Sequence, residues 1–457
     1  VNSQSISNCT SNISITLTAK STNSSYGAYD TTGSSPIKLV VDGNTVINKK
    51  ISMDFRNQAT VTLGTWKGDI SHNTSTGKKD FTFSTSFYVN GSSYMGKSYQ
   101  ITLSKTITLP TIDRVSTIGD ISSTDSFYIG SKFTVPINRK NTSYTHKLTA
   151  VIGSTTLVST SNLQTSSYTI DTSSSSNIEK WCTAIPNATS ATVTVALNTY
   201  NGSTKIGDTQ RKTFVVKIPT NIVPSISSVT VSDVTTTYTD IGAYVQNQSI
   251  ASIKISASGK YGSSIKKYET TFCGKTYNGS SINETITNSG NINIVSKVTD
   301  SRGRTTSETN TITVLPYTST SVSSFTVARC NSDGTINQNG ACLKPVITFK
   351  ASPVVLNGTS KNSLNIEFYY KTTSASDYSR ITWNATTFEG TESNIVIDTS
   401  TEYTYMCYVV ITDNFAMVET GLFSVGSTFS LLHLSDDGTG IAMGKVAEIA
   451  NTLDVNL

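Results

Sequence analysis

The feature that most constrains this chain is a short apolar alternation that recurs along its length and is broken each time by turn residues. Ile13-x-Ile15-x-Leu17, Phe133-x-Val135-x-Ile137, Val193-x-Val195-x-Leu197, Ile253-x-Ile255-x-Ala257 and Leu364-x-Ile366-x-Phe368-x-Tyr370 all repeat at a period of two. Successive side chains of a strand point to opposite faces, so this period describes a half-buried strand. Between the runs stand Asp42-Gly43-Asn44, Thr76-Gly77-Lys78 and Asn201-Gly202, residue types that accept the positive φ of a tight turn. Charged residues make up only 14% of the chain, against about 25% in soluble domains. Ser, Thr and Asn fill the difference, and their side chains compete with helix hydrogen bonds for nearby backbone groups. The expected fold class is all-β. With 21 Tyr, 15 Phe and a regular apolar alternation, which polar disordered tracts lack, a disordered reading is the weaker one.

A chain of 457 residues has room for several domains of about 100–150 residues. Proline lacks the N–H that strand pairing needs, and Pro110, Pro219, Pro224 and Pro316 fall between runs of strands. The expected division is an N-terminal β-sandwich at 1–112, a second at 113–220, an immunoglobulin-like domain at 221–316, a fourth sandwich at 317–427, and a C-terminal β junction at 428–457. Asp300 follows the strand Ile292 to Val298 as Asp413 follows Tyr403 to Ile411, which marks the third and fourth as related modules. Tandem sandwiches of this kind, immunoglobulin-like in part, predict an elongated rod. In the last stretch, Phe429 to Leu434 meets a turn at Ser435-Asp436-Asp437-Gly438 and a second apolar run from Gly440 to Met443. That is a hairpin, and the alternation Leu453-Asp454-Val455-Asn456-Leu457 after it reads as an interrupted strand. Contact between copies, or with a further region, is expected there.

No constellation in the sequence points to catalysis. The three histidines, His72, His146 and His433, have no metal-ligand spacing, and His146 lies in phase with apolar neighbours as a packed residue does. There is no Gly-x-Ser-x-Gly elbow, no P-loop, and no pair of carboxylates marked for glycan hydrolysis. Asp333, Asp436 and Asp437 read as turn acids capping backbone donors, since a loop of alternating ligands closed by Glu is missing. Trp66, Trp181 and Trp383 read as packing residues ahead of sugar-stacking ones. The expectation is no enzyme, with no catalytic, cofactor-binding or metal residue. Six cysteines show no Cys-x-x-Cys spacing. Cys9, Cys182 and Cys273 read as free thiols, while Cys330 and Cys342 flank one hairpin, where a bridge and two thiols both remain open. The net charge of +5 comes from scattered Lys and Arg, with no basic stripe for nucleic acid. No run of about 18 apolar residues would span a membrane. The chain opens on Val1 with no visible signal peptide, so processing or trimming is expected.

Four stretches carry a resemblance. They are Ser71-His72-Asn73 with Gly77-Lys78 and Leu109 to Ser116; Ser143 to His146 with Asn198 to Gly202 and Ile206-Gly207; Ala328-Arg329-Cys330 with Ser332 to Thr335; and Gly440 to Lys445 with Glu448 and Leu453 to Val455. As an ordered set over nearly the whole chain, they resemble siphophage-type minor structural proteins of phages infecting Gram-positive bacteria, tail-fibre or baseplate-associated. The resemblance implies a virion protein of the phage tail and no cofactor. Its implied partners are other tail and baseplate proteins, further copies of itself with a trimer open, and a host cell-wall glycan or surface receptor bound through many weak contacts. No heptad sets the copy number. The alternative is a bacterial surface adhesin of similar sandwiches, which is expected to carry a signal peptide and a wall anchor. A tail-associated glycan hydrolase is a third reading.

Overall fold

The computed structural model describes residues 1–25, 27–91, 99–383, 385–428, 432–434, 439–443 and 453–455. The chain divides into two compact units, Val1–Ile222 with Tyr261–Ser263, and Val223–Lys260 with Ser264–Leu457.

The first unit opens with strands β1 (Ser3–Ser5), β2 (Thr10–Lys20), β3 (Tyr29–Val41), β4 (Asn44–Asp54), β5 (Thr60–Ser71), β6 (Asp80–Phe87) and β7 (Ile101–Thr108). They form two sheets, ordered β1-β2-β5 and β4-β3-β6-β7. The alternating residues explain the layering: Ile13 and Leu63 from the first sheet share one core with Ile37, Leu39 and Phe81 from the second. The unit continues with β8 (Thr117–Ile118), β9 (Ser122–Ser123), β10 (Lys132–Asn138), β11 (Thr145–Ile152), β12 (Thr155–Leu163), β13 (Ser167–Asp171), helix α1 (Ser175–Thr183), β14 (Ser190–Asn201) and β15 (Thr204–Lys217). Here the sheets run β13-β10-β8, with β9 also on β10, and β12-β11-β14-β15.

Both pairs of sheets therefore use one plan, and the second unit repeats it. Ser225–Asp233, Ile250–Ser258 and Ser281–Thr285 form one sheet, facing Lys275–Asn278, Ile265–Phe272, Gly290–Asp300 and Thr305–Leu315, with Tyr244–Val245 added parallel to the last. Ser321–Cys330, Cys342–Lys350 and Glu389–Glu392 then face Ser379–Trp383, Leu364–Thr372, Tyr405–Asp413 and Met417–Glu419. This is the Greek-key order of an immunoglobulin-like sandwich. The all-β expectation holds.

Three details differ from the sequence reading. Helix α1, like the shorter helix Thr237–Ile241 of the second unit, interrupts the run of strands. The Ser174 hydroxyl caps it by accepting from the Asn177 N–H, and its buried face carries Trp181 and Cys182. The alternation Phe127-x-Ile129 is no strand. Ser126 and Phe127 have φ of 39° and 63°, so the pair turns the chain while Ile129 still reaches the core. The alternation in β7 does make a strand, yet Ile101 and Leu103 are 45% and 53% exposed. β7 is the outer strand of a four-stranded sheet, and the facing sheet has three strands.

At the C-terminus, Leu432–Leu434 pairs antiparallel with Ile441–Met443, as the hairpin reading expects. Leu453–Val455 then pairs parallel to Ile441–Met443. The turn residues Ser435 to Gly438, with Asp436 and Asp437, and the side chain of His433 lie outside the described residues.

Phe133 sits at the centre of the second core, fully buried, with its ring 5.8 Å from Trp181 and 5.4 Å from Phe214. Phe133→Ala is expected to lower stability by about 3–5 kcal/mol in denaturant unfolding followed by tryptophan fluorescence. A loss below about 1 kcal/mol would contradict this account of the core.

Candidate functional site

Among the described residues no group of three or more His, Cys, Asp or Glu is placed to hold a metal ion. The polar side chains converge instead on the segment 109–116, which leaves β7 and enters β8. Its backbone is taken up by the first pair of sheets: the Leu109 N–H donates to the Lys79 carbonyl at 2.9 Å, and the Ile112 N–H donates to the Gly77 carbonyl at 2.9 Å. Gly77 has φ +71°, and a Cβ there would stand 2.0 Å from the Ile112 carbonyl oxygen, so only glycine allows this approach. The Gln4 side-chain amide donates to the Pro110 carbonyl at 2.8 Å, and Arg114 Nη1 to the Ile6 carbonyl at 2.6 Å. From the second pair of sheets, the Tyr144 hydroxyl donates to Asp113 Oδ1 at 2.7 Å and Asn201 Nδ2 to Asp113 Oδ2 at 3.3 Å. Burial, and then the Asp113 carboxylate, push the Tyr144 phenol up to about 12.

Two histidine–serine pairs flank this segment. His72 Nδ1 lies 2.8 Å from the Gly77 carbonyl and Nε2 2.8 Å from Ser11 Oγ. His146 Nδ1 lies 3.1 Å from the Leu163 carbonyl and Nε2 2.8 Å from Ser116 Oγ. A carbonyl only accepts, so Nδ1 carries a proton in both; in a neutral ring Nε2 then accepts from the serine hydroxyl. Nucleophile, base and orienting acceptor stand in the order a hydrolase uses. Both serines, however, are fully buried, and Ser116 Oγ also accepts from the Lys140 N–H at 3.3 Å. Substrate has no approach, and the pairs serve as internal ties. Burial, and to a lesser extent the Arg139 charge, hold the His146 pKa below its ordinary value near 6.5.

A cleft of about 430 Å³ opens beside this network, lined by Arg114, Thr117 and Lys140 together with Ser7, Thr74 and Gln210 among others. The first two of the four stretches named in the sequence analysis meet at this cleft and its ties.

In the second unit, Tyr317 is the counterpart of these ties. It is buried, its hydroxyl donates to Asp413 Oδ2 at 3.2 Å, and Thr320 Oγ1 donates to the same oxygen at 2.6 Å. Asp413 Oδ1 accepts from the Phe415 and Ala416 N–H groups at 2.7 Å, as Asp300 Oδ1 accepts from those of Arg302 and Arg304 at 3.0 and 2.9 Å. Burial, followed by Asp413, pushes the Tyr317 phenol up to about 12. The third stretch folds around Arg329. That buried guanidinium donates to the carbonyls of Gly426 at 2.9 Å and Tyr403 at 2.8 Å.

Trp181 and Trp383 are buried and Trp66 is half-buried against the first core. Asp333 Oδ1 accepts from the Thr335 N–H at 2.8 Å, the capping role expected of a turn acid. All six cysteines are free thiols; Cys330 and Cys342 are direct cross-strand partners, and Cys342 Sγ lies 3.2 Å from Asp398 Oδ1. Sequence reasoning did not anticipate Arg114, Ser116 or Asp113 as a group. Their partners lie between 24 and 108 residues away, so no local spacing announces them.

A family described as a siphovirus protein of unknown function (DUF859) matches residues 1–456. No curated protein matches the chain. Among solved structures, a Ca2+-stabilised adhesin with which an Antarctic bacterium binds ice is 13% identical over 92% of this chain and 95% of that one, with a TM-score of 0.28. The FN1–FN3 domains of chicken CNTN1 are 10% identical over 68% and 99%, with a TM-score of 0.21. The fibronectin(III)-like modules of Clostridium thermocellum CbhA are 11% identical over 43% and 95%, with a TM-score of 0.19. Likenesses at these scores carry no argument about this chain.

Burial disfavours the protonated His146 in the folded state, so its contribution is present above its unfolded value near 6.5 and is lost as pH falls below it. Stability is therefore expected to drop between about pH 8 and about pH 5, and by less in His146→Gln, read from unfolding free energies at the two pH values. Asp113→Ala strands the Tyr144 hydroxyl. A loss of about 1–3 kcal/mol is expected, with new proteolytic cleavage within residues 109–116. An uncleaved, equally stable variant would show that Asp113 does not tie the segment.

Proposed function

The chain belongs to the siphovirus protein family that matches residues 1–456, and from that premise we propose that it works in the phage tail, as a tail-fibre or baseplate component supporting host-cell attachment. Membership makes it a phage structural protein and a component of the virion, associated with other virion proteins. The finer placement in the tail rests on the way the polar residues are used. Histidine, aspartate, arginine and tyrosine side chains are spent on fixing connecting segments, as at Asp113 and Asp413, which suits a protein that transmits position and force. We divide the chain at 1–112, 113–220, 221–316, 317–427 and 428–457, each of the first four a sandwich of the shared plan. Catalysis is no part of this reading. Weak contacts to a host-surface glycan, multiplied over several copies, supply the attachment.

Negative-stain imaging of the intact particle with an antibody to this chain is expected to label the tail. Label on the capsid alone would overturn the placement. Copies clustered on a bead are expected to bind host cells about 100-fold or more tightly than the free chain. Equal affinity for the free and clustered protein would count against multivalent attachment, and release of reducing ends from host polysaccharide would favour a hydrolase.

A further inference from the structure

We propose that the cleft beside residues 109–116 is a binding site for an anionic host-surface polymer, taking a phosphate or carboxylate group carried on a sugar or polyol chain. The proposal rests on the attachment reading and names the chemistry that attachment would recognise.

The cleft's volume, about 430 Å³, is that of a small-ligand site. Its charges do not balance. Arg114 and Lys140 both line it, and the only carboxylate in its lining is that of Asp208, which is exposed. Among the described residues neither cation enters an ion pair. Arg114 is half-buried, and among the described residues its guanidinium donates to the uncharged Ile6 carbonyl, which takes one proton of five. A half-buried guanidinium without a counter-ion favours an oxyanion, which its planar fork can grip through two parallel bonds. Ser7, Thr74, Thr117 and Gln210 add neutral donors and acceptors suited to the hydroxyls of a sugar or polyol. No aromatic side chain lines the cleft, so the charge and the hydroxyl partners define the ligand.

The site is also held in shape before any ligand arrives. Lys140 is anchored through its N–H to Ser116 Oγ, which His146 Nε2 holds in turn. The neighbour of Arg114, Asp113, is fixed by Tyr144 and Asn201. Gly207, at φ +50°, lets the wall close: a Cβ there would stand 2.7 Å from Val115 Cγ1. Preorganisation of this kind removes ordering costs from binding. A nucleic acid is the less favoured occupant, because two cations make no track for a phosphate backbone.

The test titrates the full chain with three soluble oligomers: poly(glycerol phosphate), oligogalacturonate and neutral dextran. Binding of the phosphate or the carboxylate oligomer, weakened by salt, is expected, and which of the two binds identifies the anion. Arg114→Gln and Lys140→Gln are each expected to reduce affinity about tenfold or more. Lys140 is exposed and, among the described residues, its side chain enters no ion pair, so Lys140→Gln tests the cleft even if Arg114→Gln impairs folding. Lys49→Gln, on an exposed position of β4, is expected to change nothing. Equal binding of dextran, equal loss in Lys49→Gln, no loss in Lys140→Gln, no binding of either anionic oligomer, or tighter binding of a single-stranded DNA oligomer would each overturn the proposal. Host-cell binding by clustered protein separates the two claims. Cells bound equally by wild type and Lys140→Gln would overturn the cleft and leave attachment standing. Oligomer bound through Lys140 with no cell binding would support the cleft and overturn attachment.

Discussion

Where the chain passes from one pair of sheets to the next within a unit, its backbone leaves water, and each buried N–H and C=O must find a partner. Regular strand ladders cannot supply these partners, because the connecting segment belongs to neither sheet. Backbone carbonyls of neighbouring turns and polar side chains supply them instead. In residues 109–116 the Lys79 and Gly77 carbonyls take the Leu109 and Ile112 N–H groups, the Gln4 amide donates to the Pro110 carbonyl and the Thr199 hydroxyl takes the Ser116 N–H, while Arg114 on Ile6 and the Tyr144–Asp113–Asn201 contact pin the segment's side chains. In the second unit Asp413 answers it with four donors, two from backbone N–H groups and two from the hydroxyls of Tyr317 and Thr320. A buried carboxylate satisfied in this way holds its neighbours in place, because any one of them leaving would expose unpaired charge.

This use of polar residues bears on function. A serine hydrogen-bonded to a histidine, itself backed by an acceptor, would be the first place to look for chemistry. Here the burial of Ser11 and Ser116 turns that arrangement into a structural tie. Arg114 differs from the histidines in lining an open cleft. The buried charges of Arg329 and Asp413 are matched by several partners, whereas half-buried Arg114 lines a cleft and, among the described residues, meets one carbonyl.

The strands were legible because a two-residue period is a local property, and a residue's neighbours in sequence suffice to show it. Helix α1 was not, although Ser174 before Ile178, Trp181 and Cys182 is a readable cap and stripe; the surrounding Ser and Thr masked it. The exposure of Ile101 and Leu103 could not be read either. Alternation tells which side of a strand is apolar, and only the number of strands in the facing sheet tells whether that side is covered.

By itself, then, the sequence determined the all-β class, the positions of most strands and turns, and the likeness of the Asp300 and Asp413 turns, since each depends on contacts a few residues long. It also pointed to the stretches around His72, Leu109 to Ser116 and His146 without indicating why they matter. Tertiary structure decided that these stretches are one place. Ser11 meets His72 across 61 residues, Ser116 meets His146 across 30, and Arg114 meets Ile6 across 108. Contacts of that separation arise only when two sheets close over a shared core. The partner of each polar group, and hence which charge is left over for a ligand, is therefore a property of the fold.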